Sequence, residues 1–72
     1  VFLIYQFEIR IVEKHVSKLI EDGINETDIA IISPYNAQVH LIKVLLKEKY
    51  SGIEIGSGKN FDNIAIFFKK IS

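Results

Sequence analysis

Two short stretches carry residue types that could do chemistry: Gly56-Ser57-Gly58-Lys59 near the end of the chain and Ser33-Pro34-Tyr35-Asn36-Ala37-Gln38 in its middle. The first looks like the tail of a phosphate-binding loop. In such a loop the backbone N–H groups of a glycine-rich turn surround phosphates at a helix N-terminus, a lysine reaches them, and a Ser/Thr hydroxyl binds magnesium. The fixed positions of G-x-x-x-x-G-K-S/T are not met. Counting back from Gly58 and Lys59 puts the opening glycine on Ile53 and the magnesium-binding hydroxyl on Asn60. The context fails as well, because the loop should open a helix. Here Phe61-Asp62-Asn63 leads into Ile64-Ala65-Ile66-Phe67-Phe68, a short apolar run typical of a strand. The stretch reads as a Gly/Ser/Asn turn joining two strands.

The second stretch takes its meaning from the elements around it. Residues 8–22 are predicted to form an amphipathic helix, with Ile9, Val12, Val16, Leu19 and Ile20 at helical spacing on one face and Gly23 as its stop. His15 falls at the border of that face and is assigned no role. Asn25-Glu26-Thr27-Asp28 reads as a turn; Asn25-Glu26-Thr27 also matches a glycosylation sequon, a chance match for a chain with no secretory signal. Ile29-Ala30-Ile31-Ile32 is an unbroken apolar run, as expected of a strand covered by helices on both faces. Ser33 then supplies a cap and Pro34 the first position of a second helix over 34–50, with Ala37, Leu41, Val44 and Leu45 inward and Lys47 and Lys49 at its end. Residues 1–5, 53–55 and 64–68 are the remaining short strands.

This order, strand, helix, strand, helix, strand, strand, implies an α/β fold with a largely parallel sheet. In such sheets ligands bind beyond the carboxyl ends of the strands, where helix N-termini gather. Residues 33–38 pass from a strand end to a helix start and should expose a hydroxyl, an aromatic ring and two amides there, although Ser-Pro followed by polar residues is also ordinary capping.

Bulk properties narrow the choice. At 72 residues the chain is one domain at most, and a chain this short buries only about 60% of its unfolded surface. The apolar fraction of 49% suits a globular core, and a formal net charge of zero gives no global pull toward nucleic acid or membrane. No cysteine is present, so disulfides and thiolate metal sites are excluded, and His15 and His40 are too few for a metal cluster. The apolar opening is too short for a signal or membrane segment, and with no initiator Met the chain suits a fragment of something larger. Lys69 and Lys70 read as a solvated end, and His40 and Lys43 as a basic outward helix face that could touch a backbone or simply be solvated.

The string Asp28-Ile29-Ala30-Ile31-Ile32-Ser33-Pro34-Tyr35-Asn36-Ala37-Gln38-Val39, with Glu8-Ile9-Arg10 opening the helix before it and residues 41–50 after it, resembles the second RecA-like lobe of superfamily 1 helicases. The likeness is to the group that includes the nonsense-mediated-decay helicase and the immunoglobulin mu-binding protein, and it covers about residues 8–56. Its most specific part, Ser33-Pro34-Tyr35-Asn36-x-Gln38-Val39, looks like motif IV. The resemblance implies that residues 1–72 are a fragment of a C-terminal, P-loop NTPase-type lobe, and that motif V should follow residues 53–55. Ser57 and Phe61 match that motif's Thr/Ser and Phe, whereas Gly58, Lys59 and Asp62 replace its Val, Asp and Gln, and a few residues are missing before 64–68. The resemblance thus makes the glycine-lysine stretch an eroded motif V, with Ser57, Lys59 and Phe61 near nucleic acid and Ser33, Pro34, Tyr35, Asn36 and Gln38 at a cleft. It further implies a parent that uses ATP and Mg2+ to act on single-stranded DNA or RNA in the nucleus or cytoplasm. This chain lacks the Walker A loop, the magnesium-binding acid and motif VI, and is expected to bind no cofactor and hydrolyse nothing without its first lobe. The other expectation is a small non-catalytic α/β interaction module, a truncated relic of such a lobe.

Overall fold

The structure is a computed structural model that describes residues 2–69; Val1, in the first expected strand, and Lys70, in the closing lysine pair, lie outside the described residues. The chain runs β1 (Phe2–Phe7), α1 (Ile9–Glu21), a 3-10 turn (Glu26–Asp28), β2 (Ile29–Ser33), α2 (Asn36–Leu46), β3 (Glu54–Ser57) and β4 (Ile64–Lys69). The expected order of elements is the observed one.

Helix α1 forms for the reasons its spacing gives: Val12, Val16 and Leu19 are buried, with Ile9 and Ile20 packed beside them. Its end is a Schellman motif. Gly23 takes φ +97°, its N–H bonds the Ile20 carbonyl at 3.0 Å, and the Ile24 N–H bonds the Leu19 carbonyl at 3.0 Å, while Leu19 and Ile24 are both buried. The left-handed φ is what requires glycine there.

The sheet corrects the expectation of largely parallel pairing. Its order is β1-β4-β2-β3, and only β2 and β3 pair in parallel; β4 is antiparallel to both β1 and β2. Connection length is the reason. A parallel return needs a crossover of about a dozen residues or more, and α2 provides one between β2 and β3. Only residues 58–63 separate β3 from β4, so β4 comes straight back on the far side of β2.

Both crossovers, β1 to β2 and β2 to β3, move across the sheet in the same direction, and with the usual right-handed sense they place α1 and α2 on the same face. Contacts between α1 and the turns that follow α2 agree: Ser17 Oγ lies 3.1 Å from Tyr50 Oη, and Lys49 Nζ donates to Glu13 Oε1 at 3.3 Å. Strand β2 is therefore covered by helices on one face only, contrary to its uninterrupted apolar sequence. Ile29, Ile31 and Ser33 are buried, whereas Ala30 and Ile32 alternate with them and are half-buried on the opposite face.

A second correction concerns α2. It spans Asn36–Leu46 rather than 34–50, with hydrogen-bonded turns carrying the chain on to Tyr50. The residues expected inward are exposed: Leu41 by 51%, Val44 by 62% and Leu45 by 45%, with Ala37 also exposed. Ile42 and Leu46 are buried instead, with Val39 and Tyr50 packed against the core. Two apolar stripes of equal periodicity run along this helix, and spacing alone does not choose between them. The choice is made at the first turn, where Gln38 bonds back to Ser33; Ile42 and Leu46, one and two turns beyond Gln38, follow it inward.

Ile42→Ala is expected to cost about 2–5 kcal/mol, as for a buried aliphatic truncated in a packed core. Val44→Ala should stay within about 0.5 kcal/mol, as for an exposed site. Urea denaturation of the two variants checks the phase of the helix; equal losses would refute it.

Candidate functional site

At the carboxyl end of β2 three segments meet, and Ser33 joins them. Ser33 is 1% exposed. Its Oγ accepts from the Tyr35 N–H at 3.2 Å and donates to Gln38 Oε1 at 2.7 Å. Its carbonyl accepts the Gly58 N–H at 3.1 Å. The strand end, the start of α2 and the loop after β3 are thereby fixed to a single residue, and a buried hydroxyl is satisfied in both its roles.

These bonds correct the sequence reading in two respects. Ser33 is not a cap on a helix that begins at Pro34; the helix begins at Asn36, with Tyr35 in an extended conformation (φ −112°, ψ 121°) at the flanking position. Nor is the Ser33 hydroxyl exposed at the rim. The Ser hydroxyl competes for a backbone N–H two residues on, as short polar side chains do at turns, and this pulls it beneath the junction. Tyr35 is 56% exposed, Asn36 is exposed, and Pro34 and Gln38 are half-buried. The ring and one amide therefore face outward, while the second amide is engaged with Ser33.

The glycine-lysine stretch lies against the same corner. Ser57 pairs with Ser33 in the β2–β3 register, and both Ser57 and Lys59 are exposed. Residues 59–60 form a turn that leads to β4 and not to a helix. Gly58 has a packing reason to be glycine: a Cβ there would stand 2.7 Å from Ile32 Cγ2 and 3.3 Å from Phe61 Cδ2. Phe61 is half-buried and meets Phe67 edge-on, with ring centroids 5.4 Å apart. The loop is thus folded around its own aromatic anchor, with Ser57, Lys59, Asn60, Asp62 and Asn63 exposed around it. Pro34, Tyr35, Asn36 and Gln38 share one end of the sheet with Ser57, Lys59 and Phe61.

Among the described residues no group of three or more His, Cys, Asp or Glu gathers to hold a metal ion. None of their helices is long and apolar enough to cross a membrane. Sequence reasoning named Ser33 and Gln38 separately but missed that they bond to each other; a hydroxyl ending a strand five residues before an amide on the first helical turn is the signal that would have found it.

The chain is similar in sequence to known proteins. A family model described as AAA domain matches residues 3–63. The chain is 53% identical over 51 residues, 71% of this chain and 8% of the relative, to the DNA polymerase alpha-associated DNA helicase A of Schizosaccharomyces pombe. It is 41% identical over 54 residues, 75% of this chain and 6% of the relative, to the DNA-binding protein SMUBP-2 of Mesocricetus auratus. Against the DNA polymerase alpha-associated DNA helicase A of Saccharomyces cerevisiae it is 41% identical over 56 residues, 75% of this chain and 8% of the relative. No solved structure matches it. The chain belongs to the AAA domain family, in the C-terminal region of superfamily 1 helicases. It spans less than a tenth of the length of these relatives.

Ser33→Ala leaves Gln38 Oε1 and the Tyr35 N–H without their partner and is expected to cost about 1–3 kcal/mol. In a double-mutant cycle with Gln38→Ala, the coupling energy should be about 0.5–3 kcal/mol. Thermal denaturation of the two single variants and the double variant measures it, and strict additivity would show the 2.7 Å contact to be energetically idle.

Proposed function

We propose that residues 1–72 are part of the second RecA-like motor lobe of an ATP-dependent helicase, contributing motif IV and a degraded motif V to a nucleic-acid and ATP cleft, and inactive alone. The observation that carries this reading is the Ser33 corner, which gathers the motif IV string and the loop at 57–61 at the carboxyl end of β2. Open α/β sheets receive ligands at such an end. Tyr35 offers a ring face on which a base stacks, and Asn36 an amide beside it. Gln38 holds the junction's shape through Ser33, while Pro34 fixes the turn. Ser57 and Lys59 stand where a backbone phosphate would lie, and Phe61 anchors the loop that presents them. Such contacts position a strand without reading its sequence. The relatives' names, a DNA helicase and a DNA-binding protein, favour a DNA strand as the partner.

ATP and Mg2+ belong to the complete two-lobed protein. Phosphoryl transfer needs the Walker lysine, magnesium and an arginine finger together around the γ-phosphate, and this chain supplies none of the three. Its first lobe is the missing partner, and the parent works in the nucleus or cytoplasm.

A second reading, a non-catalytic interaction module, is favoured by the 58–63 connection. The loop that should hold motif V is too short to return in parallel and closes on Phe61 and Phe67 instead.

Fluorescence anisotropy with a labelled single-stranded oligonucleotide separates the two. Two or three phosphate contacts on a single strand give a slope of log K against log salt of about −1.4 to −2.1, and Lys59→Gln should reduce its magnitude by about 0.7. Tyr35→Ala should weaken binding by about 1–3 kcal/mol. No binding at low salt leaves the interaction module. In the same samples, phosphate release from ATP should not exceed the protein-free rate; turnover by this chain would overturn the motor-lobe assignment.

A further inference from the structure

The outward face of α2 has no use in the reading above, and its pattern is specific. Ala37, Leu41 and Val44 follow one another along the helix at four- and three-residue steps, and Leu45 widens the stripe toward α1; all four are exposed. Leu41, Val44 and Leu45 form one wall of a groove of about 390 Å³, and Ile9 and Glu13 of α1 form the other. An amphipathic helix needs one apolar stripe for its own core, and α2 already has that in Ile42 and Leu46. A second stripe beside a groove is the geometry of helix-in-groove recognition.

Charge distinguishes among occupants. His40, Lys43 and Lys47 are exposed and recur at three- and four-residue steps, so they form a row beside the apolar stripe on the side away from α1. Lys47 Nζ also donates to the Ser51 carbonyl at 3.3 Å. The acid inside the groove, Glu13, is engaged by Lys49 at 3.3 Å. Glu48, also exposed, stands only at the far end of the stripe. The described rim is therefore apolar with a basic border. A second copy of this chain meets it poorly, because a two-fold antiparallel pairing of α2 sets the two basic rows side by side.

We propose that the groove between α1 and α2 docks an amphipathic helix whose apolar ridge is bordered by acidic residues. The ridge fills the space between Ile9 and Leu41, Val44 and Leu45, and the acidic border lies along Lys43 and Lys47. The site is on the helical face and is independent of the nucleic-acid reading, which concerns the strand ends.

The test uses the 72-residue chain and two labelled peptides of about 18 residues, long enough for helix to persist. Both have leucines at i, i+3, i+4 and i+7, one with glutamates and the other with lysines on the flanking positions. The acidic peptide should bind at least about tenfold tighter at low salt, a gap that narrows as salt screens it. Leu41→Ser and Val44→Ser should each weaken it about tenfold, and both sites are exposed. Lys43→Glu with Lys47→Glu leaves the apolar stripe intact and should reverse the preference, an outcome that a misfolded variant cannot imitate. Equal affinity for both peptides, no binding, or indifference to these substitutions overturns the proposal. So does sedimentation showing a dimer abolished by Val44→Ser, which gives the groove to a second copy. Displacement of the acidic peptide by a single-stranded oligonucleotide also overturns it, giving the basic row to nucleic acid.

Discussion

The arrangement of this chain depends on how one buried hydroxyl and one carbonyl, both on Ser33, are shared. The hydroxyl holds the first turn of α2 through Gln38 and the approach to it through Tyr35, while the carbonyl holds the loop that follows β3. A buried polar group must be satisfied where it lies, so the geometry around it has little freedom. The rotation of α2 about its axis follows, and so does the identity of the residues that line the core and those left outside. The placement of Ser57 opposite Ser33, and of Gly58 on the Ser33 carbonyl, belongs to the same corner. Ser33, which looks from the sequence like an exposed group, is a buried residue that ties the strand end, the helix start and the loop together.

Strong local patterns were legible in the sequence. The α1 face, its glycine stop, the order of the elements and the failure of the phosphate-loop pattern all rest on residues within a turn or two of one another, where periodicity and backbone preference decide. The buried face of α2 was not legible, because Ala37, Leu41, Val44 and Leu45 repeat with the same spacing as Val39, Ile42 and Leu46. Only a contact with another element separates them. Sheet direction was not legible from apolarity either, since the pattern of a strand does not state which way it runs. The site itself was half legible. The two stretches were named from their chemistry, but their junction through Ser33 and Gly58 was not foreseen, and the Ser33 hydroxyl expected at the surface is buried, because its bond to Gln38 is a tertiary contact in all but sequence distance.

One-sided coverage of the sheet gives a two-layer body in place of the three layers usual for parallel α/β folds. Ala30 and Ile32 remain half-buried on the uncovered side, and Phe61, brought back by the loop, gives Phe67 a neighbour on its edge. The loop therefore does packing work that a helix does in a thicker fold, and its glycine, pressed against Ile32, is part of that work. The relatives are more than ten times longer than the matched segment.

The polarity of β4 has a further consequence. Ile64, Ala65, Ile66 and Phe68 are all buried, so hardly any polar side chain marks one direction of travel over the other, and the hydrophobic sequence would serve a strand entering from either end. What orients it is the tether behind it. Loop length thus acts as a topological selector: a handful of residues gained or lost in a surface segment can invert a central strand without altering a single residue within it.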